Sequence, residues 1–389
     1  MNRLEETEEN GRPGPADFAF IIHPIDPKAD VKRKYRLLGT ILPVAAINFF
    51  SQFFPPVYIS RIEGVRSKKT GKTVGGWFLA CPLTPERMLA LPDSVVYRKI
   101  IQTGKLAEKL GARLLGLGAY TSVVGDAGVT ISENLSIPVT TGDSYTVAVA
   151  LEAVRLGARK MGIEMGQARA AIVGATGAIG RISAQILASE VAELVLIGRQ
   201  RRQLIDLERR LMQGAGTRVR VATDIAQLAG ADLVLMVTSA IETLIEPHHL
   251  RSGAVVCDVS RPRDVSIRVA RERDDVLVID GGMVRIPGDV EFGFDFGFPS
   301  GMAYACMAET MILALDGRLE SYTLGRHITL EQVQTISDLA AEHGFELGGF
   351  RAFEKAITDE QIVRIKARRK VRQDAFPLAD CHDMEVESQ

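Results

Sequence analysis

The chain has 389 residues, a length that predicts two or three domains of about 150 residues each. Its composition, 46% hydrophobic and 24% charged, is that of a globular protein, and a net charge of −1 argues against a dedicated nucleic-acid surface. The four cysteines, Cys81, Cys257, Cys306 and Cys381, have no spacing typical of zinc ligands or of a disulfide framework. We therefore expect no metal site and a reducing, cytoplasmic location. No apolar run of about 18 residues predicts a transmembrane segment.

The first third of the chain predicts a small mixed α/β domain behind a polar tail. Glycine and proline in the segment 1–16 disfavour regular structure, so we predict a disordered tail there. Apolar periodicity and turn residues then predict a domain over 17–140, with a strand at 18–22, a hairpin over 57–78, a helix that ends at Gly111 and a strand at 114–117.

Residues 141–299 carry the clearest pattern, because short β-branched strands alternate there with helices. A long helix over about 144–162 follows the capping residues of the segment 140–144. We predict strands at 169–174, 193–198, 217–221, 231–237, 254–259 and 276–280, and helices near 178–190, 201–213, 244–251 and 263–272. Uniformly apolar strands separated by helices indicate a parallel sheet covered on both faces. The prediction is an α/β fold around a central Rossmann-type, doubly wound sheet.

The remaining residues, 300–389, predict a C-terminal helical region. Helices are expected near 301–315, 330–343 and 358–370. The last of these is strongly basic. Such a helix is either a solvated face or a surface for an acidic partner.

A glycine-rich turn at the start of the central domain predicts a dinucleotide site. An apolar strand runs into Gly174-x-x-Gly177-x-x-Gly180, which opens a helix whose free N–H groups face a pyrophosphate. The alternative to a dinucleotide site is a tight turn with a purely structural role. The predicted contacts in this turn are Gly174, Thr176, Gly177, Ala178, Ile179 and Gly180.

Arginines after the second strand of this domain indicate NADP(H). An acidic residue there would bind the ribose 2′-hydroxyl of NAD, but the chain has Arg199 and Arg201, which suit a 2′-phosphate. An exposed basic turn is the alternative. Thr238 and Ser239 follow the fourth strand and are predicted to border the nicotinamide, unless they form a plain loop.

Cys306 is the candidate nucleophile, although a cysteine in a helix is more often packed than reactive. Here the chain resembles the cyanobacterial-type long-chain acyl-[acyl-carrier-protein] reductases. The resemblance spans roughly 18–345. The motifs that carry it are Pro55-Pro56, Thr70-Gly-Lys72, Cys81 with 85–89, Tyr120-Thr-Ser122, Thr140-Thr-Gly142, the glycine turn, Asp280-Gly-Gly282, Ala305-Cys-Met-Ala-Glu309, Gly325-Arg326 and His343-Gly-Phe345.

The resemblance implies an enzyme that uses NADPH to reduce a fatty acyl-ACP or acyl-CoA to an aldehyde, with Cys306 as the acyl acceptor. Whether the aldehyde is released or passed to an aldehyde-consuming enzyme stays open. Glu309 shares a helix face with Cys306, so it is either a proton acceptor or a packing residue. Thr141 and Gly142 are predicted to shape the crevice or to cap a helix. The chain departs from the family at Asp143 and Tyr145, where cyanobacterial members tend to have Asn and His.

The predicted acyl pocket lies in the N-terminal domain. Phe50 and Phe53, in a dense aromatic segment, are the candidate substrate contacts. The same composition is equally typical of an ordinary hydrophobic core. The competing functions are an NADP oxidoreductase similar to shikimate dehydrogenase or to glutamyl-tRNA reductase, and a non-catalytic NADP-sensing module. For the shikimate type, Lys99 is the comparable lysine, and no clear Asp partner accompanies it.

Overall fold

The computed structural model describes residues 16–24, 28, 32, 36–213, 216–240, 243–295 and 297–375. The predicted tail, apart from Ala16, and Cys381 lie outside the described residues. Within these ranges the fold is α/β as predicted, with two mainly parallel sheets and helices packed on them. None of the described helices has the length and apolarity that crossing a membrane would require.

The N-terminal part of the fold is built on a five-stranded sheet. Its elements are β1 (Phe18–Ile22), α1 (Arg36–Ile41), α2 (Val44–Ser51), β2 (Val57–Arg66), β3 (Thr73–Ala80), α3 (Pro85–Ala90), α4 (Asp93–Lys109), β4 (Leu115–Leu117), α5 (Tyr120–Val123), α6 (Val129–Glu133) and β5 (Val139–Thr140). The strand order is β2-β3-β1-β4-β5, with an antiparallel β2-β3 hairpin and parallel neighbours elsewhere. The predicted strand at 18–22, the hairpin over 57–78 and the helix before Gly111, here α4, are thereby confirmed.

The central part is the predicted doubly wound sheet. Its elements are α7 (Asp143–Met161), β6 (Arg169–Val173), α8 (Ala178–Leu187), β7 (Glu193–Ile197), α9 (Arg201–Met212), β8 (Arg218–Ala222), β9 (Leu233–Met236), β10 (Val255–Asp258), α10 (Ile267–Glu272) and β11 (Leu277–Asp280). All neighbouring strands are parallel, in the order β11-β10-β9-β6-β7-β8. Counted from β6 this is the Rossmann order 3-2-1-4-5-6, which reverses between β6 and β9 and opens a ligand crevice there.

Two predicted helices of the central part are shorter than expected. The helix predicted near 244–251 is only a 3-10 turn over Pro247–His249, and the one predicted near 263–272 begins at Ile267. The reason is an isolated parallel bridge between Ile245 and Val265. The amides of Leu244 and Ile245 both donate to the Asp264 carbonyl. This pairing holds both segments extended, and residue periodicity does not reveal it.

The C-terminal part adds both strands and helices. Its elements are β12 (Met283–Arg285), β13 (Met302–Tyr304), α11 (Ala305–Asp316), α12 (Leu330–His343), β14 (Glu346–Leu347), β15 (Arg351–Ala352), β16 (Lys355–Ala356) and α13 (Asp359–Ala375). The helix predicted near 301–315 begins only at Ala305, because Met302–Tyr304 pairs antiparallel with β12.

Helix α11 lies against the N-terminal sheet. Alternate β1 residues point to opposite faces: Phe18 and Phe20 join the apolar cluster of α11, whereas Ala19 and Ile21 join that of α4. The α11 residues Met311 and Ile312 are fully buried in this cluster. The helix also packs on α7, which covers the central sheet. The residue at the start of α11 is therefore held between the two sheets.

Two arginines of the basic helix α13 contact other parts of the chain. Arg369 donates to the Met161 carbonyl at 3.4 Å, at the C-terminus of α7, where a cation satisfies a free carbonyl. Arg368 lies 3.6 Å from the Asp274 carboxylate. These contacts favour a docked helix over a purely solvated one.

Candidate active site

The glycine turn has the geometry of a phosphate-binding loop. Gly174 has a φ of 87°, and a Cβ there would lie 2.5 Å from the Val237 carbonyl oxygen. A Cβ at Gly180 would lie 2.3 Å from the Gly174 oxygen, so the first turn of α8 packs directly on the loop. Gly177 is the N-cap residue of α8. All six predicted turn residues thus lie at the α8 N-terminus, beside the crevice, where a pyrophosphate fits.

Positive charge surrounds the end of β7. Arg199 and Arg201 are exposed, and in the described part of the chain neither forms an ion pair. Arg181, which the sequence reasoning missed, donates from Nε to the Thr176 carbonyl at 2.8 Å and adds a third cation beside the turn. Its position in the first turns of the helix after the glycine motif was the available signal. Guanidinium groups in this place suit a 2′-phosphate.

The loop after β9 lies at the reversal of strand order, as predicted for Thr238 and Ser239. The Thr238 hydroxyl donates to the Asp264 carboxylate at 2.8 Å, and the Thr238 amide donates to Ser260 Oγ at 3.0 Å. The polar contacts of Thr238 therefore shape the loop. Tyr120, at the end of the N-terminal sheet, donates its hydroxyl to the Ser239 carbonyl at 3.0 Å and closes the other side of the crevice.

Cys306 lies at the carboxyl edge of the central sheet. It is the second residue of α11 and is half-buried. The preceding amide, that of Ala305, donates to the Gly282 carbonyl at 2.7 Å, just beyond β11. Ligands of doubly wound sheets bind outside this edge. The structure thus brings the candidate nucleophile to the dinucleotide side of the sheet.

Gly142 contacts Cys306 directly. It has a φ of 77° and precedes the first residue of α7. A Cβ at this position would lie 2.3 Å from the Cys306 Cα and 2.5 Å from its Cβ, so no other residue fits without displacement. Helices α7 and α11 therefore begin side by side at Cys306. Two helix N-termini provide partial positive charge that favours an anion.

Burial works against ionisation of the Cys306 thiol. It raises the thiol pKa to about 12, and the Asp143 and Glu309 carboxylates act in the same direction, while the Met307 amide opposes them. Burial, followed by repulsion from Glu309, raises the Asp143 pKa to about 7. At neutral pH the resting side chain is thus a thiol, beside a carboxyl group that gains or loses its proton in that pH range.

Replacing Asp143 with asparagine should make Cys306 more reactive at mildly alkaline pH. Above its pKa near 7 Asp143 is ionised, and its negative charge disfavours the thiolate. Removing that charge lowers the thiol pKa and should raise the alkylation rate roughly tenfold. The measurement is site-resolved mass spectrometry after iodoacetamide treatment across a pH series. Asp338→Asn, on α12, is the control, and an unchanged profile in Asp143→Asn would contradict the electrostatic argument.

Glu309 is fully buried and accepts four hydrogen bonds. The donors are Thr140 Oγ1 at 2.5 Å, Ser144 Oγ at 2.6 Å, the Tyr145 amide at 2.9 Å and Thr323 Oγ1 at 2.9 Å. The carboxylate therefore clamps α11 to β5, to the start of α7 and to the loop before α12. A proton-acceptor role would require one of these donors to leave.

The Glu309 clamp explains residues that the sequence reasoning took for helix caps. Helix α7 has no side-chain cap, because its N-cap residue is Gly142, and the hydroxyls of Thr140 and Ser144 donate to Glu309. Thr141 is fully buried, and its amide donates to the Thr323 carbonyl at 2.9 Å. A run of hydroxyl residues before a helix, in a chain with a glutamate in an apolar helix, was the signal for this clamp.

The structure does not bring Phe50 and Phe53 to Cys306. Both are exposed, at 49% and 68%, so they belong to neither a closed pocket nor a core. Phe53 instead borders an open groove of about 960 Å³ along α4, on the sheet face opposite α11. Lys99 lines the same groove and donates to the Phe54 carbonyl at 2.9 Å, away from the dinucleotide crevice.

Comparisons with known proteins agree with the central fold. Residues 155–280 match a family model described as shikimate / quinate 5-dehydrogenase. Aminotransferase PigE of Serratia sp. is 31% identical over 300 residues, which cover 76% of this chain and 35% of that protein. The chain thus spans about a third of that relative's length. A long-chain acyl-[acyl-carrier-protein] reductase of Synechococcus elongatus is 27% identical over 307 residues, 75% of this chain and 87% of that protein.

Solved structures resemble the chain only weakly. The NAD-dependent malic enzyme of Thermotoga maritima has a TM-score of 0.38 at 16% identity and covers 70% of each chain. Glutamyl-tRNA reductase of Methanopyrus kandleri has a TM-score of 0.29 at 15% identity, over 72% of this chain and 56% of that one. These two likenesses carry no argument about function. The strand order and the relatives together support a nicotinamide-dependent oxidoreductase.

Proposed function

We propose that this protein uses NADPH to reduce a long-chain fatty acyl thioester, acyl-ACP or acyl-CoA, to a fatty aldehyde through a thioester on Cys306. The observation that carries the proposal is the position of Cys306, which lies against Gly142 at the carboxyl edge of the central sheet. The similarity to the Synechococcus reductase over most of both chains supports the choice of substrate.

The residues around the crevice fit NADPH. The turn from Gly174 to Gly180 would hold the pyrophosphate, Arg199 and Arg201 would hold the 2′-phosphate, and the loop at Thr238 and Ser239 would border the nicotinamide. Bound there, NADPH supplies the hydride that the acyl carbon needs. The close approach of backbone at Gly174 and Gly180 supports this fit, because side chains at either position would fill the loop.

Cys306 exchanges one thioester for another. Its sulfur bonds to the acyl carbon, the bond from that carbon to the carrier sulfur breaks, and the carrier leaves as a thiol. The proton released by Cys306 passes to the carrier sulfur, and Asp143 can hold it in transit because its pKa is raised to about 7. Once the acyl carbon has gained a hydride, its bond to Cys306 breaks and the sulfur takes a proton from water. The products are an aldehyde and the original thiol.

The direct test uses the purified chain with palmitoyl-CoA. With NADPH present, we expect hexadecanal in amounts that equal the NADPH consumed. Without NADPH, we expect Cys306 to carry a palmitoyl group, which hydroxylamine releases and intact-protein mass spectrometry detects. NADPH binding with neither aldehyde nor acyl-enzyme, on acyl-CoA or acyl-ACP, would refute the proposal and favour the sensing module.

Replacing Arg199 and Arg201 together with alanine should weaken NADPH binding by roughly 100-fold or more and leave NADH binding nearly unchanged. The reason is the loss of charge-assisted hydrogen bonds, each contributing about 1.5–3 kcal/mol, to a phosphate that NADH lacks. Titration calorimetry with both cofactors measures the ratio. Arg210→Ala, on the far end of α9, is the matched control. Equal losses for the two cofactors would exclude a 2′-phosphate site.

A further inference from the structure

An uncharged surface segment is the most unusual feature outside the candidate active site. Residues 37–60 contain no Asp, Glu, Lys or Arg. Half of the exposed large apolar side chains in the described part of the chain lie between positions 37 and 54. Six of them have exposures of 49–77%: Leu37, Ile41, Phe49, Phe50, Phe53 and Phe54. We call this surface the aromatic face.

The aromatic face differs from the exposed side of an ordinary surface helix, which carries charged or polar residues. Helix α2 buries only Ile47 and Ser51, yet it has no charged residue on its outer side. The Phe49 ring packs edge-on against Phe50 and Phe53, with centroid distances of 5.3 and 5.9 Å, so these three rings form one contiguous cluster. Large exposed apolar patches with polar surroundings mark interaction sites.

Positive charge borders the aromatic face. The charged residues that line the α4 groove are Arg98, Lys99, Lys105 and Lys109, all of them basic, although the net charge of the chain is −1. Of these, Lys105 is paired with Glu108 at 2.9 Å. Phe53 lines the same groove, so cations and aromatic rings share one side of the molecule. On the N-terminal side, the sequence from 28 to 36 holds five basic residues and one acidic residue.

We propose that the aromatic face and the α4 groove bind the surface of a membrane that contains anionic lipids. The exposed Phe and Leu side chains favour an apolar medium, which acyl chains provide, and the bordering cations match anionic headgroups. An acidic protein would satisfy the cations but offers less room for six protruding apolar side chains. The proposal rests on this surface alone and is independent of the reductase chemistry.

Vesicle co-sedimentation of the full chain tests the proposal. Binding to vesicles of phosphatidylglycerol and phosphatidylcholine should exceed binding to phosphatidylcholine alone and should fall with added salt. Phe49→Ser with Phe53→Ser should lower the partition coefficient at least tenfold. Leu330→Ser with Val363→Ser, two exposed apolar residues elsewhere, should leave it unchanged.

The charge contribution has its own variant. Arg98→Gln with Lys109→Gln should lower binding to the anionic vesicles severalfold and leave binding to phosphatidylcholine unchanged. Circular dichroism confirms that each variant is folded. The substituted basic residues of the α4 groove are not among the predicted substrate contacts, so palmitoyl-CoA reduction by this variant tests the reductase proposal separately.

Three results would overturn the membrane proposal. The first is a folded wild-type chain that does not sediment with anionic vesicles. The second is equal binding by wild type and the Phe49/Phe53 variant. The third is a wild-type dimer that this variant converts to a monomer, or an acidic carrier protein whose binding the variant abolishes, with no vesicle binding in either case. The occupant would then be a second copy or a protein.

Discussion

Cys306→Ser should abolish aldehyde formation, with a loss in kcat of at least about 10³-fold, and should leave NADPH affinity unchanged. A serine hydroxyl is a far weaker nucleophile than a thiol, because its pKa is much higher and it ionises far less readily. The cofactor turn is built from Gly174 to Gly180 and does not involve residue 306. The measurements are hexadecanal formation from palmitoyl-CoA and NADPH titration of the same preparation.

Two matched variants make the Cys306 result specific. Cys81 and Cys257 are fully buried, and burial raises the pKa of the Cys81 thiol to about 11. Serine at either position should keep activity, apart from any loss of stability. A Cys306→Ser protein that still reduces palmitoyl-CoA at the wild-type rate would show that the acyl carbon is reduced on its carrier and that no acyl-enzyme forms.

Glu309→Ala should lower the free energy of unfolding by about 3 kcal/mol or more, because it leaves buried donors without an acceptor. The affected donors include Thr140, Tyr145 and Thr323, on three separate segments. Glu309→Gln keeps the shape of the side chain, but its amide NH₂ group replaces an acceptor with a donor, so we expect an intermediate loss. Urea unfolding followed by fluorescence of Trp77, the single tryptophan, measures both.

The Glu309 variants also distinguish a positioning role of this side chain from a role as proton acceptor. If Glu309 positions Cys306, Glu309→Gln should slow acylation and move its pH profile to lower pH while keeping both limbs, because the charge that raises the Asp143 and Cys306 pKa values is lost. A profile that loses its acidic limb would instead identify Glu309 as the group that takes the thiol proton. Glu342→Ala, which removes a surface partner of Lys69, is the stability control and should cost under about 1 kcal/mol.

The strands and the cofactor turn could be predicted from sequence because their signals are local. The strands of the central sheet are uniformly apolar, and each ends in turn residues, so β6 and β7 fall within one residue of expectation. The glycine motif and Arg199 occupy short, contiguous stretches. By contrast, the bridge of Ile245 with Val265 joins two segments that each have helical periodicity, and only the fold brings them together.

The surroundings of Cys306 could not be predicted, because they depend on distant contacts. Glu309 and Thr140 are 169 residues apart, and Gly142 reaches Cys306 from another helix. Helix α11 is apolar on all sides, so its periodicity does not indicate which face carries the site. The exposure of Phe50 and Phe53 was equally hidden, since an aromatic cluster has the same composition in a core, in a pocket and on a surface.

The placement of α11 limits how the enzyme can move. Its apolar side chains are locked into the five-stranded sheet, while the amide of its first residue, Ala305, is bonded to Gly282 at the rim of the six-stranded one. A hinge motion that separated the two sheets would break the contacts of this helix with one of them. We therefore expect the two sheets to keep their relative positions during the reaction, with the hydrogen bond from Tyr120 to the Ser239 carbonyl joining them across the crevice.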